Sequence, residues 1–358
     1  MSCSKVLLLS LSLLLAVVIP AAPSTLFSGF PYLGMTVDTG ILGGGFIIGK
    51  YQAPVVDSSS TSATYQVMAA ATYTQKGQFL VYLFPEYSTA AWVSDTGMVL
   101  KLWPDTFYGI GNDTAVSAAE KFTEEIYGLS HTWRLQVRDS WFVSHVWSGY
   151  FARLTDIKPG GMIDQALVPG IDPGMINGTG VSIRWNTAGF GFYPERGIDL
   201  TGKYMLYRSW LGSDHSYDHY RLDCKAYIPI GSKTVLALRT DLVMNHGDVP
   251  LLMMPGLGDR LRAYPERRFI DKNRISQNIE QRVFPFDEPF LDRIGFVFFV
   301  EAGQVLSGLD GIDPNDWHWS AGVGLRFAII PQERLNVRLD LGFGADKPTL
   351  SVMAREFF

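Results

Sequence analysis

Strict alternation of apolar and polar residues near the C-terminal end limits what this chain can fold into more than any other feature. In Leu335-Asn-Val-Arg-Leu-Asp-Leu-Gly-Phe343, the residues Leu335, Val337, Leu339, Leu341 and Phe343 share one face, and Asn336, Arg338, Asp340 and Gly342 the other. In the preceding segment Val323, Leu325, Phe327 and Ile329 oppose Gly322, Gly324, Arg326 and Ala328. A period of two marks β-strands with one apolar and one polar face, which suits either a soluble sandwich or a barrel in lipid. The N-terminus weighs for the barrel. Lys5 precedes an apolar run from Val6 to Ile19, and the small residues Ala21, Ala22 and Ser24 follow, the layout of a secretory leader over residues 1–24. With an export signal at one end and Phe358 at the other, the alternation points to an antiparallel transmembrane β-barrel over residues 25–358, with lipid outside and a polar lumen.

Beyond the leader nothing approaches the roughly 18 apolar residues of a spanning helix. Any crossing must then use strands, because lipid leaves the backbone no other way to satisfy its polar groups. Aromatic content of 13% and 36 glycines suit such a barrel, and a formal charge of −5 gives no argument for nucleic acid, which is not expected as a partner. Cys3 precedes the apolar core of the leader, so a lipoprotein anchor is not expected. Cys224, on a face with Leu222 and Ala226, reads as a small packing residue with no disulfide partner.

Reading back from the C-terminus, strands are expected near 348–358, 334–345, 317–330, 291–304, 271–284, 233–246, 217–229, 201–212, 177–190, 141–154, 126–139, 89–103, 77–86 and 62–75. A hairpin over 31–51 turning at Asp38-Thr39-Gly40 brings the count to sixteen; without it, fourteen is the next even number. Short connections at 138–140, 229–232, 285–289 and 331–334 alternate with long ones at about 104–125, 155–176 and 247–270. That segregation suits periplasmic turns at one end and external loops at the other. Val56–Ser62 reads as a turn, and no domain is expected ahead of the barrel.

Several segments together resemble the bacterial surface antigen family, the barrel half of the BamA/TamA-type outer-membrane insertases and transporters. Gly256-Leu-Gly-Asp-Arg-Leu-Arg-Ala-Tyr264, preceded by Gly247-Asp-Val-Pro250 and followed by Glu266-Arg-Arg-Phe269 and Asp271, stands where the family has a loop folded back into the lumen. That loop ends in Arg-Gly-Phe or Arg-Gly-Tyr, matched here by Arg262, Ala263 and Tyr264. Phe298-Phe-Val-Glu-Ala-Gly303 is similar to the family's Phe-x-Asp-x-Gly strand motif, and Phe107–Thr114 and Tyr193–Gly197 to its loop and turn signatures. The terminal Glu356-Phe-Phe358 resembles its C-terminal assembly signal, carried by Glu356 and Phe358.

The resemblance implies that Arg262 reaches Glu301 on the lumen wall, with Asp340 and Glu280 inward-pointing on neighbouring strands and able to share it. It also implies an integral protein in the outer membrane of a Gram-negative-type bacterium, assisting assembly or translocation of outer-membrane proteins or other envelope components. Its partners would be outer-membrane lipids, and unfolded outer-membrane clients or a separate periplasmic protein. The alternative is a passive diffusion pore or structural barrel. Two positions depart from the family. Ala263 replaces a glycine, which would cost roughly 1–2 kcal/mol if the tip required positive φ, and Asn186 stands where relatives often carry Asp. Gly34, Gly40, Gly43, Gly44 and Gly45 predict a poorly packed N-terminal region and a labile seam, reaching into residues 41–51.

No enzyme, cofactor or metal is expected. Ser144 and His145 are adjacent, so on a strand they face opposite sides and form no nucleophile–base pair. Asp214-His-Ser-Tyr-Asp218 lacks catalytic spacing and reads as solvated loop. Asp310–Asp316 is rich in oxygen ligands but does not follow the calcium-loop pattern, and His215, His219 and His318 do not form a metal-ligand set. Trp103, Trp141, Trp317 and Trp319 read as interfacial girdle residues.

Overall fold

The structure, a computed structural model, describes residues 17–22, 25–52 and 63–358. A short strand β1 (Val17–Ala22) is followed by β2 (Thr25–Thr36), β3 (Gly40–Gln52), β4 (Thr64–Thr74), β5 (Phe79–Ser88) and β6 (Trp92–Phe107). Next come β7 (Glu120–Arg138), β8 (Trp141–Thr155), β9 (Gly174–Asn186), β10 (Gly197–Tyr207), β11 (Tyr217–Pro229) and β12 (Thr234–Gly247). The chain ends with β13 (Asn273–Val283), β14 (Ile294–Leu306), β15 (His318–Ile330), β16 (Leu335–Phe343) and β17 (Thr349–Ala354). Each strand from β2 to β17 pairs antiparallel with its neighbours, and β17 returns to β2, so the sixteen strands close a barrel. Among the described residues no helix is long and apolar enough to cross a membrane. Most of the expected leader, and the turn read at Val56–Ser62, lie outside the described residues; of residues 1–24, only the backbone of β1 is placed, against Thr25–Gly29.

The faces follow the alternation. On β14, Phe296, Phe298 and Val300 are exposed on the outside, while Val297, Phe299 and Glu301 are buried inside. On β15, Val323 and Leu325 lie outside, and Ser320, Gly324 and Arg326 inside. Cys224 shares the outer face with Leu222 and is unpaired. Long loops 108–119, 156–173, 208–216, 248–272 and 307–317 gather at one end, with short turns 89–91, 139–140, 230–233 and 331–334 at the other. Two longer turns, 187–196 and 284–293, share the short-turn end.

Three expectations need correction. The loop placed at about 104–125 is only 108–119, because β6 and β7 run on in register from Trp103↔Glu124 to Phe107↔Glu120. Pro104 and Asp105 look like a break in sequence, yet cross-strand pairing carries the ladder past them. By the same register Trp103 faces inward with Lys101, whose ammonium lies 5.3 Å from the indole, so it is no girdle residue. Trp141 and Trp319 do lie exposed on the outside, and Trp141 stacks on Trp185. Finally, the strand expected over 348–358 stops at Ala354. Arg355 adopts φ 72°, and the last three residues turn into the lumen.

Candidate functional site: a loop clamped inside the barrel

Segment 248–272 leaves β12 and re-enters at β13 after passing through the lumen. Apolar residues hold it together: Leu257, Leu261, Ala263, Tyr264 and Phe269 form one buried cluster with Val305 of the wall. The tip region is a tight hairpin, in which Gly258 N–H donates to the Glu266 carbonyl and Leu257 N–H to that of Phe269.

Arg262 occupies the centre. Its Nε donates to Glu301 at 2.7 Å, its backbone N–H to the other oxygen of the same carboxylate at 2.6 Å, and its terminal nitrogens reach Glu280 at 2.7 Å and Asp340 at 3.2 Å. All four side chains are essentially sealed from solvent. The guanidinium also lies 3.5 Å from the Phe299 ring centroid and 4.4 Å from that of Phe357. Three more arginines balance the acids. Arg282 pairs with Glu280, Arg326 bridges Asp340 and Glu356, and Arg338 pairs with Asp340. Four guanidinium groups thus face four carboxylates. Mutual pairing is what makes such burial tolerable, since an isolated charge in the same place would cost several kcal/mol (roughly).

Ala263 is 1% exposed and does not take a positive φ, so the strain expected of a non-glycine residue there is absent. Room for the tip comes from the wall. A Cβ on Gly344 would stand 3.0 Å from Ala263 Cβ and 2.8 Å from Tyr264 Cζ. The Tyr264 hydroxyl donates to the Trp319 carbonyl and accepts from Ala345 N–H, both at 3.0 Å. It ties the outer ends of β15 and the 344–348 turn together from within.

Sequence reading singled out Arg262 but missed two further clamps. Arg267 reaches across to Glu124 on β7 at 2.5 Å and Asp105 on β6 at 3.2 Å, and Lys101 pairs with the same Glu124. Arg268 binds Asp346 at 2.8 Å and the Thr114 carbonyl at 2.8 Å. The Glu266-Arg-Arg-Phe269 run carried the signal, but its acceptors lie far away in sequence. The loop therefore spans the lumen, held by β13, β14 and β16 on one side and by β6 and β7 on the other.

The terminal residues take part too. Glu356 accepts from Arg326 and from Asn336, both at 2.7 Å, and the Phe358 carbonyl accepts from Arg282 at 2.8 Å. The Phe358 ring packs on Tyr227, Val235 and Ala237. Residues expected on a terminal strand instead fill the short-turn end of the lumen. Asn186 caps its own turn, accepting from Ala188 and Gly189 N–H and donating to the Gly189 carbonyl. Asp214 and Asp218 likewise hold their loop, Asp214 accepting from Met175 N–H and Asp218 pairing with Arg208. Among the described residues no group of three or more His, Cys, Asp or Glu side chains is placed to hold a metal.

At the seam β17 meets β2 through one residue pair, Val352↔Met35, whereas β16 and β17 share six. Gly34 allows even that approach, since a Cβ there would lie 2.7 Å from the Val352 carbonyl oxygen.

A closed sixteen-stranded barrel with an apolar exterior, a charged lumen and an inward-folded loop is an integral β-barrel of the outer-membrane type. No protein-family model matches the chain, and no curated protein matches it in sequence. Its fold is similar to that of BamA from Haemophilus ducreyi lacking POTRA domains 1–3, with a TM-score of 0.65 at 13% identity over 98% of this chain and 77% of that one. CdiB from Acinetobacter baumannii gives 0.54 at 12% identity, over 92% of this chain and 60% of that one. CdiB from Escherichia coli gives 0.58 at 10%, over 94% and 63%. These are likenesses of fold.

Proposed function

We propose that this protein acts in the outer membrane of a Gram-negative-type bacterium, assisting assembly or translocation of outer-membrane proteins or other envelope components, and that the work is done at the β2–β17 seam rather than by any catalytic group. The single residue pair closing that seam is the observation that supports this reading most. An unpaired strand edge offers N–H and C=O groups on which an incoming strand can build a ladder. Removal of residues 1–24 as a leader would also take away β1, which covers Thr25–Gly29, and lengthen the free edge. A lumen crossed by three arginine clamps argues against a passive diffusion pore. The clamped loop serves as the rigid strut against which the seam opens.

The test is assembly of a denatured outer-membrane barrel client in liposomes, with and without this protein, beside liposomes carrying Arg262→Ala. Acceleration lost in the variant is expected. No acceleration by correctly folded wild type would replace the proposal with a pore or structural barrel. A Met35→Cys, Val352→Cys pair adds the location: oxidation should abolish acceleration and reduction restore it, and indifference to oxidation would remove the seam from the mechanism.

A further inference from the structure

Besides the seam, the barrel wall has a second interruption. The last β15–β16 pair is Ala321↔Phe343, yet β15 continues to His318, paired on its other edge with Gly303 of β14. The notch this leaves has a volume of about 400 Å³ and is lined by Val300, Trp319, Ala321 and Phe343 from outside and by Tyr264, Ser320 and Gly344 from within. Val300, Trp319 and Phe343 belong to the exposed apolar exterior, so the notch opens onto lipid.

We propose that this notch binds one acyl chain of a bilayer lipid, the chain running beneath Trp319 over Ala321. Two observations converge on that occupant. The outer lining is apolar and continuous with the membrane-facing surface, which is covered by acyl chains in any bilayer. Trp319 stands at the strand end, in the aromatic belt where the ester region of a bilayer lies. Nearby Asp310, Asp313 and Asp316 in the 307–317 loop make no complementary site for an anionic head group, so the chain is what the notch recognises. The Tyr264 hydroxyl, bridging Trp319 and Ala345, forms its floor.

The experiment uses the full folded barrel in phosphatidylcholine nanodiscs, released into detergent and weighed by native mass spectrometry. Wild type should retain one lipid that Ala321→Phe loses, while Ala71→Phe, on the outer face of β4 five strands further round the barrel, should retain it. Equal retention by wild type and Ala321→Phe, or equal loss from Ala71→Phe, would overturn the site, leaving only annular lipid. A second measurement is independent of whether Ala321→Phe folds. In vesicles with an increasing fraction of chain-brominated phosphatidylcholine, the quenching of Trp319, taken as the difference between wild type and Trp319→Tyr, should saturate at a low brominated fraction. A response linear in lipid composition would sink the proposal.

Discussion

The two arcs that meet at the seam are built on different principles. Along β11 to β17 the inner face is dense with charge: Arg239 binds Asp223 at 2.8 Å, Arg274 binds Asp241 at 2.5 Å, and the Arg262 lattice follows. Along β2 to β5 it is mostly uncharged, with Tyr32, Gly44, Thr72 and Leu80 facing each other in register, and among the described residues of these four strands there is no ion pair. Charge is buried where the inward loop brings counter-charge and is sparse where it does not. One arc is cross-braced by directional bonds; the other rests on its ladder and on uncharged packing such as Phe30 against Phe46 and Tyr82 against Phe84. The seam joins the two, which is where a barrel of this construction should yield first.

The largest way to break that contrast is Arg262→Ala. It strands Glu301, Glu280 and Asp340 without their shared cation and should lower stability by about 3–5 kcal/mol, read as the denaturant midpoint for unfolding from vesicles; Arg262→Lys should recover little, lacking the fork that reaches three acids. Next is the floor on which the loop rests. Gly344→Val should push the tip off the wall at a cost of about 1–3 kcal/mol. Gly202→Val, with nothing within 4 Å of its Cβ position, should leave the midpoint unchanged; equal effects would mean that the loop is not clamped there.

A finer test sharpens the comparison without mutation. Amides of Thr25–Gly34 in β2 should exchange at least about tenfold faster than those of Leu335–Phe343 in β16, a difference of about 1.4 kcal/mol in opening. The expectation that 41–51 is the weak element needs amending, because β3 is paired along both edges and the free edge belongs to β2. The smallest effect concerns Asp38 in the β2–β3 turn, where the sparsely charged arc meets the loop by accepting from Glu266 N–H at 3.0 Å. Burial, and then the neighbouring Glu266 carboxylate, push its carboxyl from 3.8 up to about 7. The folded state therefore holds a proton that the unfolded chain gives up near 3.8, so this contribution is complete below that pH and is lost as pH rises through about 7. Protease protection of the loop should fall over that interval, and Asp38→Asn should flatten the profile.

Sequence by itself determined the sixteen strands, most of their bounds, and which side chain faces lipid and which the lumen, because a period of two is a local property of each segment. Alternation together with the family resemblance pointed Glu301, Asp340 and Glu280 inward, and Arg262 was marked by its motif. Only the tertiary structure decided which acids share that arginine and that Arg267 and Arg268 brace the opposite wall. It also decided that Glu356 and Phe358 turn inward, and that closure of the barrel rests on Val352↔Met35. Each of these depends on residues tens to hundreds apart meeting after the sheet has curved and closed. Alternation fixes a face, and only closure fixes the partner.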